Sequence, residues 1–323
     1  MSTEKSIPRV IAIVGCTASG KSALALELCK RHGGELISMD SMQIYRGMDV
    51  GTAKPTLAEQ AEIRHHMIDV VDPTESYSGG AYVEAATEAI RDVYARGRLP
   101  VLCGGTGLYL DGLLRGGYGE NYADPAIRAD LENFADEHGV MALHARLAEV
   151  DPESAAATHP NNVKRVIRAL EIYLVSGKTK TELDKLSQTA QPQIEALVFG
   201  IRYNDREVLY DRIERRVDVM LKEGLVEETE CLMKAGVFET NATAAGAIGY
   251  KEILPYLEGN ATLEAATAEL KTATRRYAKR QMTWFYAKPY VNWIDADPAD
   301  GKRTFEEIVN ICEKACKDKG FLV

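Results

Sequence analysis

The stretch Gly15-Cys16-Thr17-Ala18-Ser19-Gly20-Lys21-Ser22 constrains this chain more than any other, because it is a complete Gly-x-x-x-x-Gly-Lys-Ser phosphate-binding loop. An apolar run over residues 10–14 precedes it, and Ala23-Leu24-Ala25-Leu26-Glu27-Leu28, rich in strong helix formers, follows. That is the strand, loop, helix context the motif requires. Glycines let the backbone curl so that successive N–H groups and a helix N-terminus face an anion, while a lysine adds a full positive charge. Gly15, Thr17, Ala18, Ser19, Gly20, Lys21 and Ser22 are therefore the expected cradle for phosphate oxygens, with the Ser22 hydroxyl offered to Mg2+. Taken alone, such a loop predicts a nucleoside triphosphate such as ATP, since it recognises phosphate and not the group beyond.

The rest of the N-terminal part fits the same plan. Residues 35–40 read as a second short strand ending on Asp40, a helix is expected over 81–96, and 99–103 reads as a buried strand running into Gly104-Gly105-Thr106-Gly107. Strands recur at 196–201 and 291–295, and a closing helix runs to about residue 319. Strands alternating with helices predict an α/β fold, a parallel sheet with helices on both faces, in which ligands collect beyond the carboxyl ends of the strands. The phosphate loop, Asp40 and Thr106 each stand at such an end.

At 323 residues the chain exceeds one ordinary compact unit. Residues 119–192 show helix after helix with no strand signal, so a discontinuous core over 1–118 and 193–323 with a helical insertion at 119–192 is expected. In that insertion Lys164, Arg165 and Arg168 form a basic face, with an ordinary solvated surface as the alternative. Arg212 and Arg216, four apart on a later helix, suit a lid gripping phosphate; ion pairs with Asp211 and Glu214 are the bland alternative. Between residues 271 and 280, five basic residues and no acidic one lie inside a long helical pattern, although the chain carries a net charge of −9. Lys271, Arg275 and Lys279 make one stripe, and Arg276 with Arg280 a second, the clustering that phosphate backbones attract. Six scattered cysteines fit no disulfide framework, Cys312 and Cys316 reading as one helix face, and a reducing cytoplasm is expected. No run approaches the roughly 20 apolar residues of a membrane span. The pair His65-His66 reads as a hydrogen-bonded loop anchor.

The phosphate loop, the run Asp40-Ser41-Met42-Gln43-Ile44-Tyr45-Arg46-Gly47 continuing to Pro55, the stretch His65 to Asp69, the loop Gly104 to Tyr109, the pair Gly249-Tyr250 and the run Ala278 to Trp284 together resemble the bacterial tRNA dimethylallyltransferases. Cys16 stands where that family usually has proline, at a position that contributes mainly backbone. No Cys2His2 extension of the kind seen in eukaryotic relatives is present, which points to the bacterial form. The resemblance implies transfer of a dimethylallyl group from dimethylallyl diphosphate to the exocyclic amine of the adenosine 3′-adjacent to the anticodon of tRNA, with Mg2+ as cofactor. It implies Asp40 as general base, and Lys21, Thr106 and Arg216 as stabilisers of the departing diphosphate. Magnesium ligation remains the alternative role for Asp40. Residues implied in tRNA contact are Asp40, Ser41, Met42, Gln43, Thr106, Arg128, Lys164, Arg165, Arg168, Gly249, Tyr250, Lys251, Lys279, Arg280 and Gln281. The base must be flipped out of its stack to react. A monomer is expected. The competing function is an ATP-dependent small-molecule kinase; a regulatory GTP-binding module is disfavoured because no Asn-Lys-x-Asp motif occurs.

Overall fold

The computed structural model describes residues 7–115, 122–189, 192–297 and 301–322 and divides into two compact units, 1–114 with 193–323, and 115–192. The boundary expected at 118/119 lies outside the described residues.

In the larger unit six strands form one parallel sheet: β1 (Arg9–Val14), β2 (Gly34–Ser38), β3 (His65–His66), β4 (Leu99–Gly104), β5 (Glu195–Arg202) and β6 (Val291–Asp295), in the order β3-β2-β4-β1-β5-β6. Central β1 sets Ile11 against Val101 of β4 on one side and Leu197 of β5 on the other. Both faces are covered by helices, which is why the central strands are apolar throughout rather than alternating. On one face Ile11, Ile13, Val101 and Phe199 pack with Leu24 and Leu28 of the helix Lys21–His32 and with Cys312 and Cys316 of the helix Phe305–Asp318. On the other, Val10, Ala12, Leu102 and Val198 meet Tyr82, Val83 and Ile90 of the helix Gly79–Ala95 and Phe285 of the helix Leu263–Tyr286. The sequence pattern does not anticipate β3, which is only two residues long, at the sheet edge, where Leu36 pairs with His65. His66 bonds the Glu35 carboxylate at 2.7 Å, and His65 Nδ1 lies 2.6 Å from the Ile63 carbonyl oxygen.

The smaller unit is helical among its described residues, with helices Pro125–His138, Val140–Val150, Pro152–Ala157, Val163–Ser176 and Lys180–Thr189. Leu131, Leu143, Leu147, Val166, Ile167 and Leu170 form its core.

Candidate active site

The phosphate loop turns from β1 into the helix Lys21–His32. Gly20 caps that helix in the left-handed region (φ 96°), a conformation an L side chain rarely adopts, and Ala18 shares that region at φ 62°. The first-turn N–H groups of a helix have no intrahelical acceptor and are free for an anion. Two loop amides are committed elsewhere: Thr17 N donates to Gln281 Oε1 at 2.9 Å, and Ser19 N to the Cys16 carbonyl at 3.3 Å. Gln281, expected at the tRNA, is largely buried on the wall of the cavity that Lys21 and Ser22 also line, and it braces the loop, its Nε2 donating to the Gly105 carbonyl at 3.1 Å. Lys21 Nζ donates to the Cys16 carbonyl at 3.2 Å. Burial lowers the Lys21 pKa, and nearby Arg216 pushes the same way, so a bound polyanion at this loop would relieve a real electrostatic cost.

Lys21 and Ser22 share one cavity of about 560 Å³ with Asp40, Gln43, Arg216, Lys251, Tyr277 and Arg280. A volume of that order suits a small-molecule ligand. Asp40 lies two residues beyond β2, where its Oδ1 accepts from Met42 N at 2.9 Å. Thr106 holds the same turn, its hydroxyl oxygen accepting from Ser41 N at 3.2 Å and its own N–H donating to the Met39 carbonyl at 3.2 Å. Thr106 thus stands behind the cavity wall, while Asp40, Ser41, Met42 and Gln43 form part of it. Arg216 turns into the cavity with Nε buried and without a hydrogen-bond partner. Burial lowers its pKa against the opposing field of Asp40. Arg212, on the same helix face, instead donates through Nε to the Ala18 carbonyl at 2.8 Å and braces the loop. The anticipated acid partners go elsewhere: Asp211 pairs with Arg215, and Glu214 with Arg275.

The basic stretch on the helix Leu263–Tyr286 is less open than its sequence suggests. Lys271 pairs with Asp218 at 2.7 Å, Arg275 with Glu214 and Arg276 with Glu269 at 3.5 Å, while Lys279 and Arg280 are exposed, Arg280 on the cavity wall. In the smaller unit Lys164 and Arg165 are exposed, but Arg128 and Arg168 both close on fully buried Glu171, at 3.0 and 2.7 Å. Gly249 and Lys251 reach the cavity wall. Tyr250, expected at the tRNA, is fully buried, and its hydroxyl donates to Glu228 Oε1 at 2.7 Å. Sequence reasoning missed Glu228 and Tyr277. Tyr277 sits among the basic residues and is eclipsed by them. Behind the phosphate loop a second hollow of about 330 Å³ is lined by Arg212, Arg215 and Arg303, each already engaged by protein acceptors.

The chemistry of the donor set fits Mg2+. Ser22 and Asp40 bring hard oxygen donors to one cavity, and Mg2+ is commonly held by one or two protein oxygens and completed by phosphate oxygens and water.

A family model described as IPP transferase matches residues 43–288, and one described as isopentenyl transferase matches residues 8–73. A tRNA dimethylallyltransferase of Halalkalibacterium halodurans is 46% identical over 312 residues, covering 96% of this chain and 98% of that protein. One from Caldanaerobacter subterraneus subsp. tengcongensis is 43% identical over 305 residues, covering 93% and 95%. Among solved structures, the full-length tRNA isopentenylpyrophosphate transferase from Bacillus halodurans aligns with a TM-score of 0.69 at 43% identity, covering 97% of this chain and 98% of that one. A eukaryotic dimethylallyltransferase caught acting on tRNA aligns with a TM-score of 0.79 at 30% identity, covering 96% and 78%.

Proposed function

The chain belongs to the IPP transferase family and prenylates tRNA, and from that premise we propose that it moves the dimethylallyl group of dimethylallyl diphosphate onto the exocyclic amine of the adenosine 3′-adjacent to the anticodon. The supporting observation is the single cavity that gathers phosphate-binding cations, Lys21 and Arg216, opposite an available carboxylate, Asp40. The small-molecule kinase alternative is set aside, because relatives 43 to 46% identical over most of the chain are tRNA dimethylallyltransferases.

The residues divide the work by charge. The exocyclic amine is a poor nucleophile because its lone pair is delocalised into the purine ring. As the nitrogen attacks the allyl carbon, the carbon–oxygen bond to diphosphate breaks and its electron pair leaves with the diphosphate. Asp40 accepts the proton the amine gives up, and Lys21, Arg216 and the N–H groups heading the first helix meet the negative charge that builds on the leaving group. Thr106 keeps the turn bearing Asp40 in place. Ser22 would hold Mg2+ beside the phosphate loop, where the ion would supply further neutralisation of that charge. The tRNA is gripped by exposed Lys279, Arg280, Lys251, Lys164 and Arg165, the last two giving the helical unit its part in the contact. We assign the enzyme to the cytoplasm as a monomer; six free cysteines suit a reducing compartment, and no helix among the described residues is long and apolar enough to cross a membrane.

Calorimetry with Mg2+ tests the ligand. Dimethylallyl diphosphate is expected to bind far more tightly than ATP, and Lys21→Ala to reduce transfer by about a hundred- to a thousandfold or more while leaving tRNA affinity within about twofold. ATP as the tighter ligand would overturn the assignment.

A further inference from the structure

Glu228, on the helix Leu225–Lys234, collects four hydrogen bonds on one carboxylate: from Asp49 N at 3.0 Å, Val50 N at 2.8 Å, Gly51 N at 2.9 Å and the Tyr250 hydroxyl at 2.7 Å. Three successive backbone N–H groups converging on one anion make a nest, and they fix the path of the loop. Packing completes the clamp, since a Cβ on Gly51 would lie 2.4 Å from the Tyr250 ring, so only glycine fits there. The carbonyls of the next two residues, Thr52 and Ala53, then face the Gln43 side chain, and Gln43 Nε2 donates to them at 3.3 and 3.2 Å. Carbonyl oxygens only accept, so they settle which way the Gln43 amide points. Both its N–H hydrogens are consumed. Its Oε1 accepts from the Ser38 hydroxyl at 2.9 Å, which leaves that oxygen a second lone pair, and Gln43 lines the cavity that holds Asp40.

We propose that Glu228, through the loop it pins, makes Gln43 an obligate hydrogen-bond acceptor and so selects a base presenting an exocyclic amine over one presenting a carbonyl at the same ring position. An amine donates to Oε1, whereas a carbonyl meets it oxygen to oxygen. Gln43 is the specificity residue, and Glu228 with Tyr250 positions it without touching the base. A flipped amide would welcome a carbonyl; the pinned loop forbids the flip. This rests on the reading of the cavity as the place where adenine enters.

The test measures the Kd of the full-length protein for two anticodon stem-loops that differ only in adenosine or inosine at the position 3′ of the anticodon. Wild type is expected to prefer adenosine by at least about tenfold. In Glu228→Gln the ratio falls toward one, the inosine affinity stays within about twofold, and the thermal midpoint holds. A merely structural role would weaken both stem-loops equally and leave the ratio alone; that result overturns the proposal. Tyr250→Phe, which removes one of the four hydrogen bonds and keeps the ring against Gly51, should lower the ratio part of the way even if Glu228→Gln does not fold, and an unchanged ratio there also refutes it. Wild type that prenylates the adenosine stem-loop yet binds both equally defeats this inference alone, whereas no prenylation defeats the functional reading beneath it.

Discussion

The two ends of β2 carry carboxylates five residues apart in very different company. Glu35, near the strand's start, is 3% exposed and receives the Arg96 guanidinium through both terminal nitrogens, His66 at 2.7 Å and Arg98 at 3.4 Å. Asp40, two residues past the strand's end, is half-buried, accepts a hydrogen bond from the Met42 N–H, and lines a cavity together with Lys21 and Arg216. One end of the sheet spends its charges on one another; the other keeps a carboxylate and two cations in reserve for a ligand. The polarity of a parallel sheet explains the division, because the loops that reach a ligand leave from the carboxyl ends of the strands.

Substitution at the reserved end should produce the largest effect. Asp40→Asn is expected to lower single-turnover transfer about a hundred- to ten-thousandfold, with diphosphate affinity and thermal midpoint almost unchanged. A rate equal to wild type would remove the base from the account and merge the two ends into one structural class.

The saturated end should answer in stability. Hydrogen bonds from Arg96, joined by His66, draw the Glu35 pKa from 4.5 down to about 2. A carboxylate with a depressed folded-state pKa stabilises the fold fully above its unfolded value, and that contribution drains away as pH falls from about 4.5 toward 2. Its size is on the order of 3 kcal/mol. Denaturant melts across this range should show wild type losing stability with acid and Glu35→Gln, already weakened at neutral pH, losing less. Parallel curves would place the acid sensitivity elsewhere.

A finer contrast lies along the basic helix. Lys279→Ala with Arg280→Ala should flatten the salt dependence of tRNA binding by roughly 0.7 to 0.9 in logarithmic slope for each phosphate no longer neutralised. The same change at Lys271 and Arg275, whose charges are closed by Asp218 and Glu214, should leave the slope nearly intact. Equal slopes for the two pairs would show that the ion pairs open when tRNA arrives.

That contrast also marks where sequence reading runs out. The phosphate loop, the central strands and Asp40 are legible because their signals are local: apolar runs, a glycine pattern, a carboxylate after a strand. The basic stretch reads as uniformly open because Asp218 and Glu214, which close two of its five cations, Lys271 and Arg275, lie on another helix 53 and 61 residues earlier, and charge composition is blind to such pairs. Arg168 reads as part of an open basic face for the same reason, since only the fold shows that buried Glu171 holds it together with Arg128. Glu228 is illegible outright. In sequence it is one acid in Glu227-Glu228-Thr229, and its backbone partners lie 177 to 179 residues away. β3 escapes because two residues at an edge carry no periodicity.

The central claim is that this cavity transfers carbon and releases diphosphate whole. Wild-type protein, Mg2+ and bulk tRNA should be mixed with dimethylallyl diphosphate labelled in the allyl group or, in parallel, with ATP labelled in the γ-phosphate, and acid-precipitable label followed over a single turnover. The account predicts that the allyl label enters tRNA and the phosphate label does not. Incorporation of phosphate, with the allyl label left in solution, would contradict it.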